Sequence, residues 1–453
     1  MADPVRHDKT ARQLRLLSDA LDSGRLGPVR RLVNTLSPAE IGNLLESLPP
    51  AKRTVVWGLV DPEDDGEVLV HVGDEVREGL LAEMDPDEIV AAVEDLDIDD
   101  LADLVEDLPD TVIDEVLKSM DRDNRERLEQ ALSYPEDTAG RLMNPDVVTV
   151  RTDTTVDVVL RYLRLRGELP EHTDHLYVVS RRHQYLGRIA LQSLLTHEAN
   201  TPVNQLIDDT QVAIDVDESA GSVARQFSDH DWISAPVVDD SNILLGRITI
   251  DDVVDIIRDQ AEHQALGAAG LDEDEDLFSP IRRAVRGRVV WLGINLLTAF
   301  LASLVIGQFE ATIEKIVALA VLMPIVAGIG GNAAVQVLTL MVRGIALGQV
   351  GQSNAGILLW KELRVALING LLIGILVGAV ALLWFGSWLL STVIAAALVL
   401  NFCSAALAGV LLPLLLKRLH IDPAVAGTVV VTAITDVMGF FSFLGLATII
   451  LLH

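Results

Sequence analysis

The sequence predicts a multidomain membrane protein. An all-α superhelical N-terminal domain comes first, an α/β tandem pair of modules second, and an all-α five-helix transmembrane domain last. Charge segregation is the first reason: residues 1–278 hold 61 of the 66 acids and carry −36, whereas residues 279–453 carry +5. Such a split is expected of an acidic soluble region joined to a membrane domain. The second reason is a helical phrase that recurs before residue 135, followed by a different, mixed repeat over 136–263. The third is a set of five apolar stretches, each near the roughly 20 residues a crossing needs.

Residues 8–135 read as short amphipathic helices. "LSPAEIGNLLESLP" (36–49), "MDPDEIVAAVEDLD" (84–97) and "DIDDLADLVEDLP" (97–109) each set a turn or N-cap before an apolar helical stripe. Ser37 and Asp85 precede Pro38 and Pro86, the order of an N-cap and a first helical residue. Self-similar helix pairs point to a small superhelical stack, with an ordinary helical bundle as the alternative.

Residues 136–203 and 204–263 repeat one another. "MNPDVVTVRTDTTVDVVLRYL" leads to "HLYVVSRRHQYLGRIALQSLL", and "IDDTQVAIDVDESAGSVARQF" leads to "SAPVVDDSNILLGRITIDDVVDII". Both follow the order extended piece, helix, apolar strand, turn, strand opening at glycine, helix. This resembles a tandem pair of CBS (cystathionine β-synthase-type) modules, with "GRITIDD" (246–252) as the signature. The resemblance implies ligand sensing, commonly of an adenosine nucleotide such as ATP, rather than catalysis. It places Thr249 and Asp252 where phosphate and ribose are contacted. The first module has Ala190 and Ser193 instead, which implies one such site per chain.

Residues 264–286 form an acidic connector with several glycines, and 287–452 the transmembrane domain. Its spans are predicted at 287–308, 313–342, 362–386, 390–416 and 424–452. Arg282, Arg283, Arg286 and Arg288 precede the first, Arg343, Lys361 and Arg364 divide the second from the third, and Lys417 and Arg418 follow the fourth. The positive-inside rule then puts the N-terminus in the cytoplasm and the C-terminus outside a cell (inner) membrane. The opening "MADPVRHDKTARQL" has no apolar core of a signal peptide, in keeping with that orientation. Cys403 stands alone, so no disulfide framework is expected. A −36 region repels phosphate, which argues against nucleic acid as a partner. No P-loop pattern is present to drive a pump, and an enzyme is not expected.

One acid, Asp436, interrupts the uncharged run from Ala424 to Leu452. A charge at mid-bilayer costs about 2.5–3.5 kcal/mol on insertion scales, so a cation or proton site is expected, with a buried acid that is protonated or hydrogen-bonded to another helix as the alternative. Thr428, Thr432 and Asp436 share one helix face. In the second span, "MPIVAGIGGNAAVQ" (323–336) sets Pro324, Gly328, Gly330, Gly331 and Asn332 at membrane depth. Proline frees a carbonyl and glycine permits close approach, so a broken, oxygen-rich span is expected there, with tight helix packing through small residues as the alternative. Asn401 with Ser404, and Asn332 with Gln336, are candidates for polar lining or interhelical bonding.

The helical acidic domain, the CBS pair, the connector, five spans, "MPIVAGIGGN" and "TAITDVMGF" together resemble the MgtE family of magnesium channels. The resemblance covers nearly the whole chain. It implies a homodimer with a pore on its two-fold axis, Asp436 occurring twice around it, and Gly328, Gly330, Gly331 and Asn332 bordering the ion. Hydrated Mg²⁺ suits such a path, being a hard ion slow to dehydrate. The resemblance further implies that Asp99, Asp100, Asp217, Glu218, Asp252, Asp255 and Asp259, with Asp103 and Glu262 beside them, bind regulatory Mg²⁺ and draw the domains closed at high internal Mg²⁺. Neutralising Asp252 and Asp255 is then expected to raise the Mg²⁺ needed for closure. "AAVQ" follows "GGN" where relatives can carry Thr-Gly-Asn-Gln, Thr428 stands where an Asn can lie, and His263 and Gln264 stand where relatives can carry acids. The function implied is Mg²⁺ uptake by a Mg²⁺-selective channel. The alternatives are a proton-coupled divalent cation transporter and a non-conducting, membrane-anchored CBS sensor.

Overall fold

The computed structural model describes residues 17, 19–21, 23–24, 26–94, 96–106, 108, 110–271, 276–351, 354–419 and 421–452. The predicted domain start over 8–16 and the acids at 272–275 lie outside the described residues. The chain divides into two compact units: Met1–Gln260 with Asp274–Ser279, and Ala261–Glu273 with Pro280–His453.

In the first unit, short helices run Leu26–Val33, Pro38–Glu46, Pro50–Trp57, Asp65–Val70, Asp74–Leu81, Pro86–Val93, Ile98–Glu106, Asp110–Ser119 and Arg122–Leu132. Local chemistry starts two of them as expected. Glu40 Oε2 accepts from the Ser37 N–H at 3.1 Å while Ser37 Oγ accepts from the Glu40 N–H at 3.4 Å. Asp85 and Glu88 form the same reciprocal capping box, with Pro38 and Pro86 each just inside the helix. Alternate helices pack together: Pro38–Glu46 on Asp65–Val70, Pro86–Val93 on Asp110–Ser119, and Ile98–Glu106 on Arg122–Leu132. That pattern is a superhelical stack, and one continuous core that includes Ile41, Leu45, Val68, Leu101, Leu104 and Leu128 runs through it.

Two three-stranded sheets follow with one topology, β1 (Thr149–Arg151), β2 (His175–Val179) and β3 (Tyr185–Ala190), then β4 (Ile214–Asp215), β5 (Ser234–Val238) and β6 (Leu244–Thr249). In each, the first pair is parallel and the second antiparallel, as in Val150↔Val178 and Leu176↔Ile189, or Ile214↔Val237 and Ala235↔Ile248. Both break register at the equivalent place, Val178/Val179 and Val237/Val238. The last helix of the second module, Ile250–Ala269, runs on past 263. Nothing in the sequence stops it before Gly270, whose φ of +73° ends the turn at little steric cost.

The second unit holds five helices long and apolar enough to cross a membrane: Ile281–Gly307, Ala318–Ala346, Ala355–Phe385, Trp388–Arg418 and Pro423–Leu451. The first begins at Ile281, earlier than predicted, because helix propensity carries through the four arginines that mark its polar end. Residues 313–317 are not part of the second span; a short helix, Glu310–Lys315, precedes it. The second span is not broken either. It is helical from Ala318 to Ala346 with Pro324 inside, because at membrane depth a proline forfeits one backbone bond without water to compete for the rest. The fourth span is the most enclosed, packed against the second, third and fifth.

Candidate ion path and acid cluster

Asp436 lies near the middle of the fifth span, half-buried. One turn earlier, Thr432 Oγ1 donates to the Thr428 carbonyl at 2.8 Å. That bond satisfies the hydroxyl proton and leaves the oxygen free to accept. The second span meets this face: a Cβ on Gly331 would stand 3.6 Å from Thr432 Cγ2. Gly330 has another task. A Cβ there would stand 2.0 Å from Asn401 Nδ2, and one on Gly439 would stand 2.7 Å from the same atom. Asn401 is therefore wedged between the second and fifth spans, fully buried, and donates to the Val326 carbonyl at 3.0 Å. Gly328 faces open space and Asn332 is exposed; four residues apart, they share the open side of the second span.

Of the two readings offered for Asn401 and Ser404, Asn401 shows interhelical bonding, to Val326 O on the second span, whereas Ser404 Oγ donates to its own helix at Leu400 O, 3.0 Å away. Asn401 would have been found by asking what buried polar group two glycines on different spans make room for.

The first unit brings together acids distant in sequence. Asp97, Asp99, Asp100 and Asp103 stand at the start of Ile98–Glu106, and Asp251, Asp252, Asp255 and Asp259 along Ile250–Ala269. Burial, then Asp252, Asp100 and Asp97, hold the Asp99 carboxyl well above its usual range. Burial, then Asp97, Asp103, Asp251 and Asp255, push Asp100 up to about 7. Asp252 goes up to about 8 from burial and Asp251, with Asp100 adding to it. Counter-charge reaches the two ends of the cluster, Arg247 acting on Asp97 and Arg141 with Arg77 on Asp103. Asn144 Nδ2 donates to Asp97 Oδ2 at 3.0 Å, and Arg141 Nη2 is spent on the Ala102 carbonyl at 2.6 Å while its Nε lies 3.8 Å from Asp103 Oδ1. Asp99 Oδ1 is buried without a hydrogen-bond partner.

So Asp99, Asp100, Asp252 and Asp255 are brought to one place, with Asp259 near Asp103. Asp217, which is exposed, and Glu218 are not among the acids that act on Asp99, Asp100 and Asp252. Glu218 accepts from Ser222 Oγ at 2.6 Å and Gln226 Nε2 at 2.7 Å, and the Asp217 N–H is bound by Asp215. Asp97 and Asp251, absent from the predicted set, join the cluster. Their signal was adjacency to acids already chosen. Among the described residues no three His, Cys, Asp or Glu side chains close on one metal position. A cation here would be held by opposed carboxylates through its own water.

Raised carboxylate values set the sign of a pH effect. Their contribution to the docked arrangement is complete below the ordinary range near 4. It is lost as pH rises through about 7 for Asp100 and about 8 for Asp252. Limited proteolysis of the full chain in chelator should therefore speed up between the two domains across that range, and Mg²⁺ should restore protection at the alkaline end. At the alkaline end, where Asp252 is ionised, Asp252→Asn alone should flatten the pH response and lower the Mg²⁺ required, because it removes a buried source of repulsion. Cleavage that ignores both pH and Mg²⁺ would contradict this.

Thr249 and Asp252 are already engaged with each other. The Thr249 N–H donates to Asp252 Oδ2 at 3.2 Å and its hydroxyl lies 3.1 Å from the same oxygen and also bonds Asp251, a cap on the helix that begins at Ile250. In the second unit, His263 Nε2 meets Asp422 Oδ2 at 2.5 Å, and Asp422 Oδ1 caps the fifth span at the Ala424 N–H.

An acidic helical stack, a CBS pair and five apolar spans define a multi-pass membrane protein of the divalent cation transporter class. The chain belongs to the MgtE family. The family model for the MgtE divalent cation transporter matches residues 323–446, that for the MgtE intracellular N domain 36–137, and that for the CBS domain 139–200 and 203–259. The magnesium transporter MgtE of Thermus thermophilus is 32% identical over 442 residues, covering 96% of this chain and 98% of that protein. Its counterpart in Bacillus subtilis is 26% identical over 430 residues, covering 94% and 95%. A crystal structure of the cytosolic domain of the Mg²⁺ channel MgtE in complex with ATP matches with 31% identity and a TM-score of 0.48, over 53% of this chain and 98% of that one. The family is named for transport, not catalysis.

Proposed function

We propose that this chain forms a dimeric, Mg²⁺-selective channel for magnesium uptake, with its N-terminus in the cytoplasm, closed by Mg²⁺ at the acid cluster. Asp436 carries the proposal: a carboxylate near mid-span, on a face with Thr428 and Thr432, opposite the Gly331 side of the second span. In a two-fold dimer the open Gly328–Asn332 side and Asp436 would be duplicated around one axis, giving hydrated Mg²⁺ two charges and a polar wall. Inside the cell, rising Mg²⁺ would neutralise Asp99, Asp100, Asp252 and Asp255, dock the N domain, and act on the spans through the helix Ile250–Ala269. Asp217 and Glu218 are left out of this sensor. The second CBS module is the proposed nucleotide site. Thr249 and Asp252 would exchange their bonds to each other for phosphate and ribose.

A lone intramembrane carboxylate also suits proton exchange. Purified protein in liposomes, with Mg²⁺ influx driven by voltage, separates the two. Influx without a pH gradient is the expected result. A strict proton requirement would establish the coupled transporter instead, and no influx at low internal Mg²⁺ the non-conducting sensor.

A further inference from the structure

The segment Asp276–Ser279 lies just before the first span, yet it packs as part of the first unit, while Ala261–Glu273 and Pro280–His453 belong to the second. What holds it there is specific. Arg53, on Pro50–Trp57, is buried at 7% exposure. Its Nε donates to the Leu45 carbonyl at 3.0 Å, and its Nη2 meets Asp276 Oδ2 at 2.7 Å, with 8% and 12% of the two side chains exposed. Glu75, on Asp74–Leu81, accepts from the Asp276 N–H at 3.1 Å and from Ser279 Oγ. The Ser279 N–H closes a turn on the Asp276 carbonyl at 3.1 Å. Four residues are thus pinned to two N-domain helices by a desolvated ion pair and two further bonds. Leu277, between the anchors, is 91% exposed, so apolar burial does not explain the docking.

A buried ion pair is a poor way to gain stability, since desolvation takes back most of its attraction. It is a good way to specify one docked position. We propose that Asp276–Ser279 is a strap by which the N domain holds the start of the first span, a cation-independent link separate from the helix Ile250–Ala269. Pro280 follows the strap directly and Ile281 begins the span, so little slack separates the strap from membrane helix. When the N domain leaves its docked position, the strap would draw on the first span; when it returns, the strap would hold that span still. The coupling to conduction rests on the channel reading above, whereas the docking does not.

The full-length protein in lipid nanodiscs tests the docking, and the same protein in liposomes tests the coupling. Hydrogen exchange of the 276–279 amides should speed up about tenfold in Arg53→Ala and in Asp276→Asn. The Mg²⁺ needed for half-closure should rise about tenfold, within the usual range of coupling between sites. Asp276→Asn removes the pair without touching the N-domain core, so a folding defect in Arg53→Ala would not decide the matter. The double charge swap, Arg53→Asp with Asp276→Arg, should restore both readouts towards wild type. Unchanged exchange in Asp276→Asn overturns the strap. Faster exchange with unchanged closure overturns the coupling. A wild-type flux that ignores internal Mg²⁺ overturns the gating reading and the coupling with it, while exchange still decides the docking.

Discussion

Asp436→Ala is expected to reduce voltage-driven Mg²⁺ influx by about two orders of magnitude while leaving a folded, monodisperse protein. A unit charge roughly 6 Å from a divalent cation gains about 6 kcal/mol at an effective dielectric of 20, and losing only half of that is about a hundredfold in a barrier. The residue is half-buried near the centre of Pro423–Leu451, and no helix cap depends on it, so folding has little reason to suffer. Removing an intramembrane charge should if anything ease insertion. Asp436→Asn keeps the shape and should fall nearly as far, which would separate charge from volume. Wild-type flux in either variant would remove Asp436 from the path.

The second large effect is structural. Gly330→Ala would put a methyl 2.0 Å from Asn401 Nδ2, and Asn401 has no room to retreat, because Gly439 already lies against the same amide. Overpacking of this kind costs about 1–3 kcal/mol, and losing the bond to Val326 O adds about 1 kcal/mol. A drop in the thermal midpoint of the purified protein is therefore expected. Asn401→Ala alone should also lower it, but the pair should cost less than the sum, since the second change makes space for the first. Strict additivity, or an unchanged midpoint for Gly330→Ala, would show that the two residues do not share this space.

Much of the architecture was legible because it is written in local patterns. Ser37 and Asp85 announce their helices with a proline and a reciprocal glutamate, "GRITIDD" announces a strand that turns into a helix, and Asp436 stands out against an uncharged background. What stayed hidden depends on contacts between distant segments. Gly328, Gly330 and Gly331 look alike in sequence. One faces open space, one receives Asn401 and one faces Thr432, and no spacing rule distinguishes them. Asp217 and Glu218 looked as much like sensor acids as Asp99 and Asp100 did; only the fold shows Glu218 spent on Ser222 and Gln226. Arg53 lies in an ordinary helical phrase, and its partner Asp276 is more than two hundred residues away.

The central claim is a cation path closed by cations at buried, opposed carboxylates. Its most direct test is Mg²⁺ influx into liposomes whose internal Mg²⁺ is clamped at successive values from micromolar to several millimolar, at fixed voltage and pH. Fast influx is predicted at the low end and progressive closure towards the high end, with Asp252→Asn closing at lower internal Mg²⁺ than wild type when the internal pH is held above about 8. Influx that stays constant across the whole range would contradict it.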